Sequence, residues 1–275
     1  MFLKLLKHEF RATSPLVLLV WLGLVVFSGL STLFRFLCDS LDIFVLPMAV
    51  TTTFFGLLAV ASVVIVYVVI IRRFYTNVYG DEGYLTLTLP VKRGSIITTK
   101  LICGAVLVIG TLLVLGISVL IQFAPEFFDM IEAVFGYFFI FVDQIVHYTG
   151  IPIGAAVAEA ILYLLVALAK SILVFYASVS IGQFFTGHRL LGSVLGYLCV
   201  NVASKTVVTV YSLIMGISAK ATGIMRMFAA GQVLDNMTSF EVQISFIVWI
   251  ILTALFAAVL WLFTDIIMRR AVNLQ

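Results

Sequence analysis

The sequence predicts an all-α polytopic membrane protein, with six transmembrane helices in a single domain over residues 1–275. Apolar residues make up 63% of the chain and charged residues 11%, whereas soluble domains contain roughly 45–50% apolar and about 25% charged residues. The apolar residues are also grouped into runs of about 20 or more, long enough to cross ~30 Å of hydrocarbon as helices. We expect no second large soluble domain in a chain of 275 residues.

The six predicted spans cover residues 15–34, 45–71, 101–123, 155–181, 190–217 and 242–267. Several are longer than a crossing requires, so we expect them to tilt or to continue as helix beyond the bilayer, as at the cytoplasmic end of the second span. Gly192 and Gly196 in the fifth span indicate close packing against a neighbouring helix. The three cysteines are scattered and match neither a disulfide framework nor a metal-binding spacing.

The distribution of Lys and Arg predicts that both termini are cytoplasmic, because this orientation puts most of the 16 basic residues on the cytoplasmic side. The stretch between Lys100 and Lys170 contains no Lys or Arg but several carboxylates, as expected of an outward-facing segment. Loop 72–100 is then cytoplasmic and loop 124–152 is external. Within the external loop, interleaved carboxylates and phenylalanines predict a short amphipathic helix, which would serve either as a lid or as a gate.

Residues 1–13 predict an amphipathic helix that lies in the inner membrane interface. Basic side chains follow an i, i+3, i+4, i+7 spacing and apolar side chains occupy the other side, so the charges reach the headgroups while the apolar face enters the hydrocarbon. An ordinary juxtamembrane anchor would show the same pattern. The apolar run that follows is too long for a signal peptide. The basic residues are Lys4, Lys7, His8 and Arg11.

Loop 72–100 is a charged island between two apolar runs, so it must face water. A turn is expected around Gly80, and Pro90 ends the short element that follows because the residue before a proline is disfavoured in a helix. Alternating leucine and Tyr or Thr over residues 84–89 would suit a strand as well as a helix. Exposed leucines and a tyrosine in a cytoplasmic loop indicate a docking surface, although a purely structural loop is the alternative.

Three charged residues within the spans mark a possible translocation path: Glu159, Lys170 and Lys205. A lysine near the middle of a span costs roughly 2.5–3.5 kcal/mol, so something must compensate it. Glu159 shares a helix face with Lys170 but lies ~16 Å along the axis, too far for contact. We hypothesise that the two lysines line an aqueous vestibule between two copies of the chain and contact anionic or carbonyl groups of a substrate. Pairing with backbone carbonyls, or snorkelling, is the alternative.

Motifs for catalysis are missing from the chain. It has no GxxxxGK[ST] phosphate loop, no HExxH zinc motif and no GxSxG nucleophile motif. We therefore expect no enzyme activity, no catalytic residue and no metal or other cofactor in this chain, and no nucleic-acid partner.

Two segments resemble the ATP-binding-cassette (ABC) type-2 permeases, the membrane subunits of many bacterial exporters. Six spans with cytoplasmic termini agree with that family. The residues that carry the resemblance are Glu82-Gly83-Tyr84-Leu85, Leu87, Leu89-Pro90-Val91 and Lys100, together with Leu5-Leu6-Lys7-His8-Glu9-Phe10.

The resemblance implies that residues 83–89 form a coupling helix in a cleft of a separate ATPase subunit, which would bind the ATP and Mg. It also implies a dimer, most simply a homodimer, in the plasma membrane of a bacterium, exporting amphipathic or lipophilic peptides or antibiotics. An ion-gradient-driven secondary transporter with Glu159, Lys170 and Lys205 as its relay is the alternative, as is a membrane scaffold or sensor. The implied coupling residues are Asp81, Glu82, Gly83, Tyr84, Leu85, Leu87, Leu89 and Pro90, and those of an interfacial connecting helix are Lys4, Lys7, Glu9 and Phe10.

Overall fold

The computed structural model describes most of the chain, with gaps at loops and termini. The residues it describes are 2–38, 42–80, 83, 93–123, 135–137, 139–140, 152–185, 187–214 and 239–271.

Six long α-helices account for nearly all of the described residues, and each is long and apolar enough to cross a membrane. The chain is therefore a multi-pass, all-helical membrane protein, and each predicted span falls on one helix. A short 3-10 helix, Asp42–Phe44, precedes the second long helix. The helices are α1 (Phe2–Cys38), α2 (Val45–Val78), α3 (Arg93–Gln122), α4 (Ile153–Gly182), α5 (Arg189–Ile214) and α6 (Ser239–Ala271).

The helix boundaries differ from the predicted spans mainly at the start of α1, at the end of α2 and at the start of α3, which begins at Arg93 rather than at residue 101. Residues 2–13 do not form a separate helix but are continuous with the first span through Pro15. A proline inside a helix cannot donate to the carbonyl four residues earlier, yet it need not end the helix. Helix α2 continues past the predicted end of its span to Val78, as expected, and its 34 residues extend about 50 Å.

The chain divides into an N-terminal unit, Met1–Phe138, and a C-terminal unit, Phe139–Gln275. In the N-terminal unit, α1 packs along both α2 and α3. Helices α1 and α3 run parallel, because polar contacts along their length join residues separated by 89 to 91 positions. Helix α2 runs antiparallel to α1, with Ser31 opposite Thr52 and Phe27 opposite Phe54.

Small and polar side chains pack α1, α2 and α3 together at two positions, one near the middle of α1 and one near its C-terminal end. Gly110 lets α1 approach α3 closely, since a Cβ atom there would lie 2.6 Å from the Cη2 atom of Trp21. The indole Nε1 of Trp21 donates to Thr111 Oγ1 at 2.9 Å. Near the C-terminal ends of α1 and α3, Gln122 Nε2 donates to Ser31 Oγ at 2.7 Å. Apolar lipid tails give helices little hydrophobic reason to associate, so such contacts specify the packing.

In the C-terminal unit, α4 packs along both α5 and α6. The close packing against a neighbouring helix is confirmed for Gly196, where a Cβ atom would lie 3.0 Å from Ile181 of α4. At Gly192 the close neighbour is Phe185, which lies in the connection between α4 and α5 and would be 2.4 Å from a Cβ atom. Phe175 of α4 stacks on Tyr197 of α5 with ring centroids 5.2 Å apart. These contacts place the end of α4 beside the start of α5, so the two helices are antiparallel.

Candidate functional site

Seven of the eight implied coupling residues, Asp81, Glu82, Tyr84, Leu85, Leu87, Leu89 and Pro90, lie outside the described residues. The eighth, Gly83, is buried just beyond the end of α2, where its backbone N–H donates to the Gly80 carbonyl at 2.8 Å. A Cβ atom at Gly83 would lie 2.6 Å from the carbonyl oxygen of Val78. Glycine is therefore the residue that fits where the chain folds back on the end of α2.

The implied connecting residues occupy the first turns of α1. Lys4 and Lys7 are exposed, whereas Glu9 and Phe10 are half-buried. Because residues three and four apart share a helix face, Glu9 and Thr13 point toward the neighbouring helices, while the lysines point away. The carboxylate of Glu9 is the member of this set that makes long-range contacts.

Glu9 lies at the centre of a charged cluster that joins all three helices of the N-terminal unit. Its Oε1 atom is 2.6 Å from Lys100 Nζ on α3, and its Oε2 atom is 3.3 Å from Arg73 Nε on α2. Asn77 Nδ2, one turn further along α2, donates to Glu9 Oε1 at 3.4 Å. We call these four residues, Glu9, Arg73, Asn77 and Lys100, the Glu9 cluster.

The Glu9 cluster is largely shielded from solvent. The Lys100 side chain is 3% exposed and that of Glu9 13%, while Arg73 is 30% exposed and reaches the surface. A buried charge is tolerated when it is paired and its remaining donors are satisfied. Here one carboxylate pairs with two cations and accepts from an amide, and these contacts connect α1, α2 and α3.

A second group of polar residues lines a cavity of about 510 Å³ within the C-terminal unit. Both mid-span lysines, Lys170 of α4 and Lys205 of α5, line it, but Glu159 does not. The cavity lining is completed by Tyr163, Ala167, Ser171, Val174, Phe175, Tyr197, Asn201, Ser204, Val208, Thr209, Trp249 and Thr253.

Lys170 and Lys205 lie at similar depth in the helix pair. Phe175, which stacks on Tyr197, follows Lys170 by five residues, and Tyr197 precedes Lys205 by eight. In antiparallel helices this difference puts the two lysines within about one helical turn of each other along the axis. The Nζ atom of Lys170 lies 5.2 Å from the ring centroid of Phe256, whereas the side chain of Lys205 is exposed.

Several residues of both sites were not predicted from the sequence. Arg73 and Asn77 carry no local signal, because their partner Glu9 is 64 and 68 positions away. The cavity did leave a signal: Tyr197, Asn201 and Lys205 follow one another at i, i+4 and i+8, a polar stripe on one face of an otherwise apolar helix. Among the described residues, no group of three His, Cys, Asp or Glu side chains is arranged to hold a metal ion.

The fold and these two sites define a helical membrane protein with a charged helix junction and a basic intramembrane cavity. Comparison of the chain with protein families, with curated proteins and with solved structures gave no match.

Proposed function

We propose that this chain is the membrane-spanning subunit of an ATP-driven ABC exporter and that it couples to a separate ATPase subunit through residues 81–90. The observation that carries the proposal is the position of the Glu9 cluster. Arg73 and Asn77 lie in the last turns of α2, immediately before this segment, and Lys100 lies in the second turn of α3, shortly after it. Glu9 therefore joins the end of α2 to the start of α3, the two helix ends that flank residues 81–90.

This arrangement suits the transmission of a mechanical force. If an ATPase presses on residues 81–90, the ends of α2 and α3 receive the load together. Since Glu9 binds both helices, they move with the start of α1 as one body, and the motion is not absorbed by local bending. In this proposal residues 2–13, with Lys4 and Lys7 exposed, act as the connecting helix on the cytoplasmic side of a bacterial plasma membrane.

The substrate would pass between two copies of the permease, and the cavity with Lys170 and Lys205 would contribute to that path. A peptide or lipophilic substrate fits a cavity that combines aromatic, hydroxyl and ammonium groups. Glu159 does not line the cavity, which leaves the two lysines as the charged members of the proposed path.

Co-purification and ATP turnover test the proposal. The chain is co-expressed with any phosphate-loop ATPase that a neighbouring reading frame encodes, and ATP turnover of that partner is compared with and without the permease in liposomes. Complex formation and increased turnover are expected, and both should be lost in Tyr84→Asp and in Leu87→Asp. His188→Asp, which adds a carboxylate at the exposed α4–α5 connection, is the matched control and should retain both.

Three results would contradict the proposal. Turnover that is unchanged in Tyr84→Asp and Leu87→Asp would remove the coupling role of residues 81–90. Transport that persists without the ATPase but collapses with an ion gradient would identify a secondary transporter, and the absence of any ATPase partner would point to a scaffold or sensor.

A further inference from the structure

The positive charge of the two cavity lysines is not balanced by a carboxylate among the residues that the structure describes. Lys170 and Lys205 line the same cavity, and no carboxylate among the described residues lies within ion-pair distance of either one. Lysines within a membrane span are costly unless they meet a partner or water. Two of them at nearly the same depth also repel each other, so the site as it stands favours an incoming anion.

In the described part of the chain, the groups that face this charge are neutral. The ring of Phe256 faces the ammonium of Lys170 at 5.2 Å, which attracts a cation without neutralising it. The amide of Asn201 donates to the Tyr197 carbonyl of its own helix. These neutral groups do not balance the two ammonium charges, so a ligand that carries a negative charge would be bound favourably.

The remaining lining predicts the rest of the ligand. Tyr163, Phe175, Tyr197 and Trp249 place four aromatic rings around the cavity, and Trp249 Nε1 donates to the Tyr163 hydroxyl at 3.3 Å, which ties α6 to α4. Aromatic surfaces favour aliphatic or ring-containing groups. The volume of about 510 Å³ lies in the range of about 300–1,000 Å³ typical of small-molecule sites.

We propose that this cavity binds an amphiphilic anion, a molecule that carries a phosphate or carboxylate on an apolar body. The ammonium groups of Lys170 and Lys205 bind the anionic group, and the aromatic rings, Trp249 among them, contact the apolar part. The binding site stands on the cavity alone. Only the further statement that such anions are the exported substrate rests on the proposed function.

Fluorescence quenching in neutral phosphatidylcholine nanodiscs tests the proposal, with the purified chain and no ATPase. The probes are a bromine-tagged medium-chain carboxylate and its neutral methyl ester, since bromine quenches tryptophan on contact. The quenching that Trp249→Phe removes is the signal of the cavity, because Trp249 lines it. The carboxylate is expected to bind at least about tenfold more tightly than the ester, since a charge-assisted contact contributes about one power of ten or more.

The lysine variants decide the assignment. Lys170→Gln/Lys205→Gln should abolish the preference for the carboxylate, and Lys170→Arg/Lys205→Arg should keep it. Arg72→Gln/Arg189→Gln, which removes the same charge from two exposed positions, should leave the preference unchanged. Equal binding of carboxylate and ester, or a preference that survives Lys170→Gln/Lys205→Gln, would overturn the proposal, and thermal unfolding of each variant confirms that it is folded.

Two further probes identify the source of the anion. Bromine-tagged phosphatidylglycerol, compared with tagged phosphatidylcholine, reports binding of an anionic membrane lipid, and the free carboxylate reports binding of a single-chain amphiphile. Quenching by either anion that is lost in Lys170→Gln/Lys205→Gln supports the site and identifies which kind of anion it binds. Because no ATPase is present, this binding can fail while stimulation of ATP turnover persists, so the two proposals are tested separately.

Discussion

Removing the carboxylate of Glu9 should loosen the N-terminal unit more than any other single change in the Glu9 cluster. In Glu9→Leu, the ammonium of Lys100 loses its carboxylate at 2.6 Å while its side chain remains 3% exposed. Arg73 is 30% exposed and can turn to water, so it tolerates the loss better. The destabilisation is therefore expected to come mainly from Lys100.

The size of the effect follows from the burial of Lys100. Removing one partner of a buried ion pair costs about 3–5 kcal/mol, because the other charge is left unpaired. The reverse change, Lys100→Met, should cost less, about 1.5–3 kcal/mol, because Glu9 keeps Arg73 and Asn77 as partners. Replacing both residues with apolar ones is often close to neutral, so Glu9→Leu/Lys100→Met should recover most of the loss.

Cys103 provides a local probe of this loosening. It is buried, it lies one turn after Lys100, and its Sγ atom is 3.8 Å from Thr13 Oγ1 on α1. Replacing Cys38 and Cys199 with serine leaves Cys103 as the one thiol, and its labelling by a maleimide in detergent then reports the opening of α1 from α3. When opening is fast relative to labelling, the rate follows the opening equilibrium.

Glu9→Leu should then accelerate labelling of Cys103 by about a hundredfold to a few thousandfold, since each 1.4 kcal/mol is about a factor of ten. Lys7→Met, which removes an exposed charge from the same helix segment, is the matched control and should label at the wild-type rate. A Glu9→Leu rate equal to that of Lys7→Met would refute the reasoning. If Glu9→Leu/Lys100→Met labels as fast as Glu9→Leu, the cost does not arise from the unpaired Lys100.

Two further predictions concern the neutral contacts of the same helices, each measured by the midpoint of thermal unfolding in detergent. Gly110→Val should lower the free energy of unfolding by about 1–3 kcal/mol, because the added side chain overpacks against Trp21. Gly116→Val is the control, since its added Cβ atom meets nothing within 4 Å, and it should leave the free energy unchanged. Equal losses in the two variants would count against close packing at Gly110. Gln122→Leu should lower the free energy of unfolding by only about 0.6–1.7 kcal/mol, because Ser31 and Thr52 still form a hydrogen bond with each other at 2.8 Å. A larger loss would mean that Gln122 has a further role.

The number and order of the helices could be predicted because each span is a local property of the sequence. About 20 apolar residues in a row are enough to identify a span, and all six predicted spans fall on helices. The start of α1 was less predictable. The charged residues before Pro15 predicted an interfacial helix that ends near residue 13, but the helix continues past the proline despite the missing hydrogen bond, so a change in polarity did not mark a helix end.

Contacts between helices could be predicted from the sequence only where a residue type, such as glycine, itself indicates close packing. Gly192 and Gly196 were expected at a close approach because small residues let helix backbones meet. Gly196 does lie against α4, whereas Gly192 lies against Phe185 in the connection between α4 and α5. Glu9 and Lys100 were both singled out from the sequence, yet their pairing depends on the register of two helices that start 91 positions apart. No local pattern encodes that register, since it follows from the packing of whole helix faces.

The charged side chains of the Glu9 cluster pair with one another, whereas the described lining of the cavity offers no carboxylate to its two lysines. This difference argues for different roles of the two units. In the N-terminal unit, the carboxylate of Glu9 pairs with cations from two other helices, so each of these three charges has a partner within the protein, which favours rigidity. In the C-terminal unit, Lys170 and Lys205 share a cavity in which the described residues supply rings and hydroxyls but no carboxylate, so the charge is balanced when an anion arrives. Substitutions at Glu9 should therefore change stability first, and substitutions at Lys170 and Lys205 should change binding first.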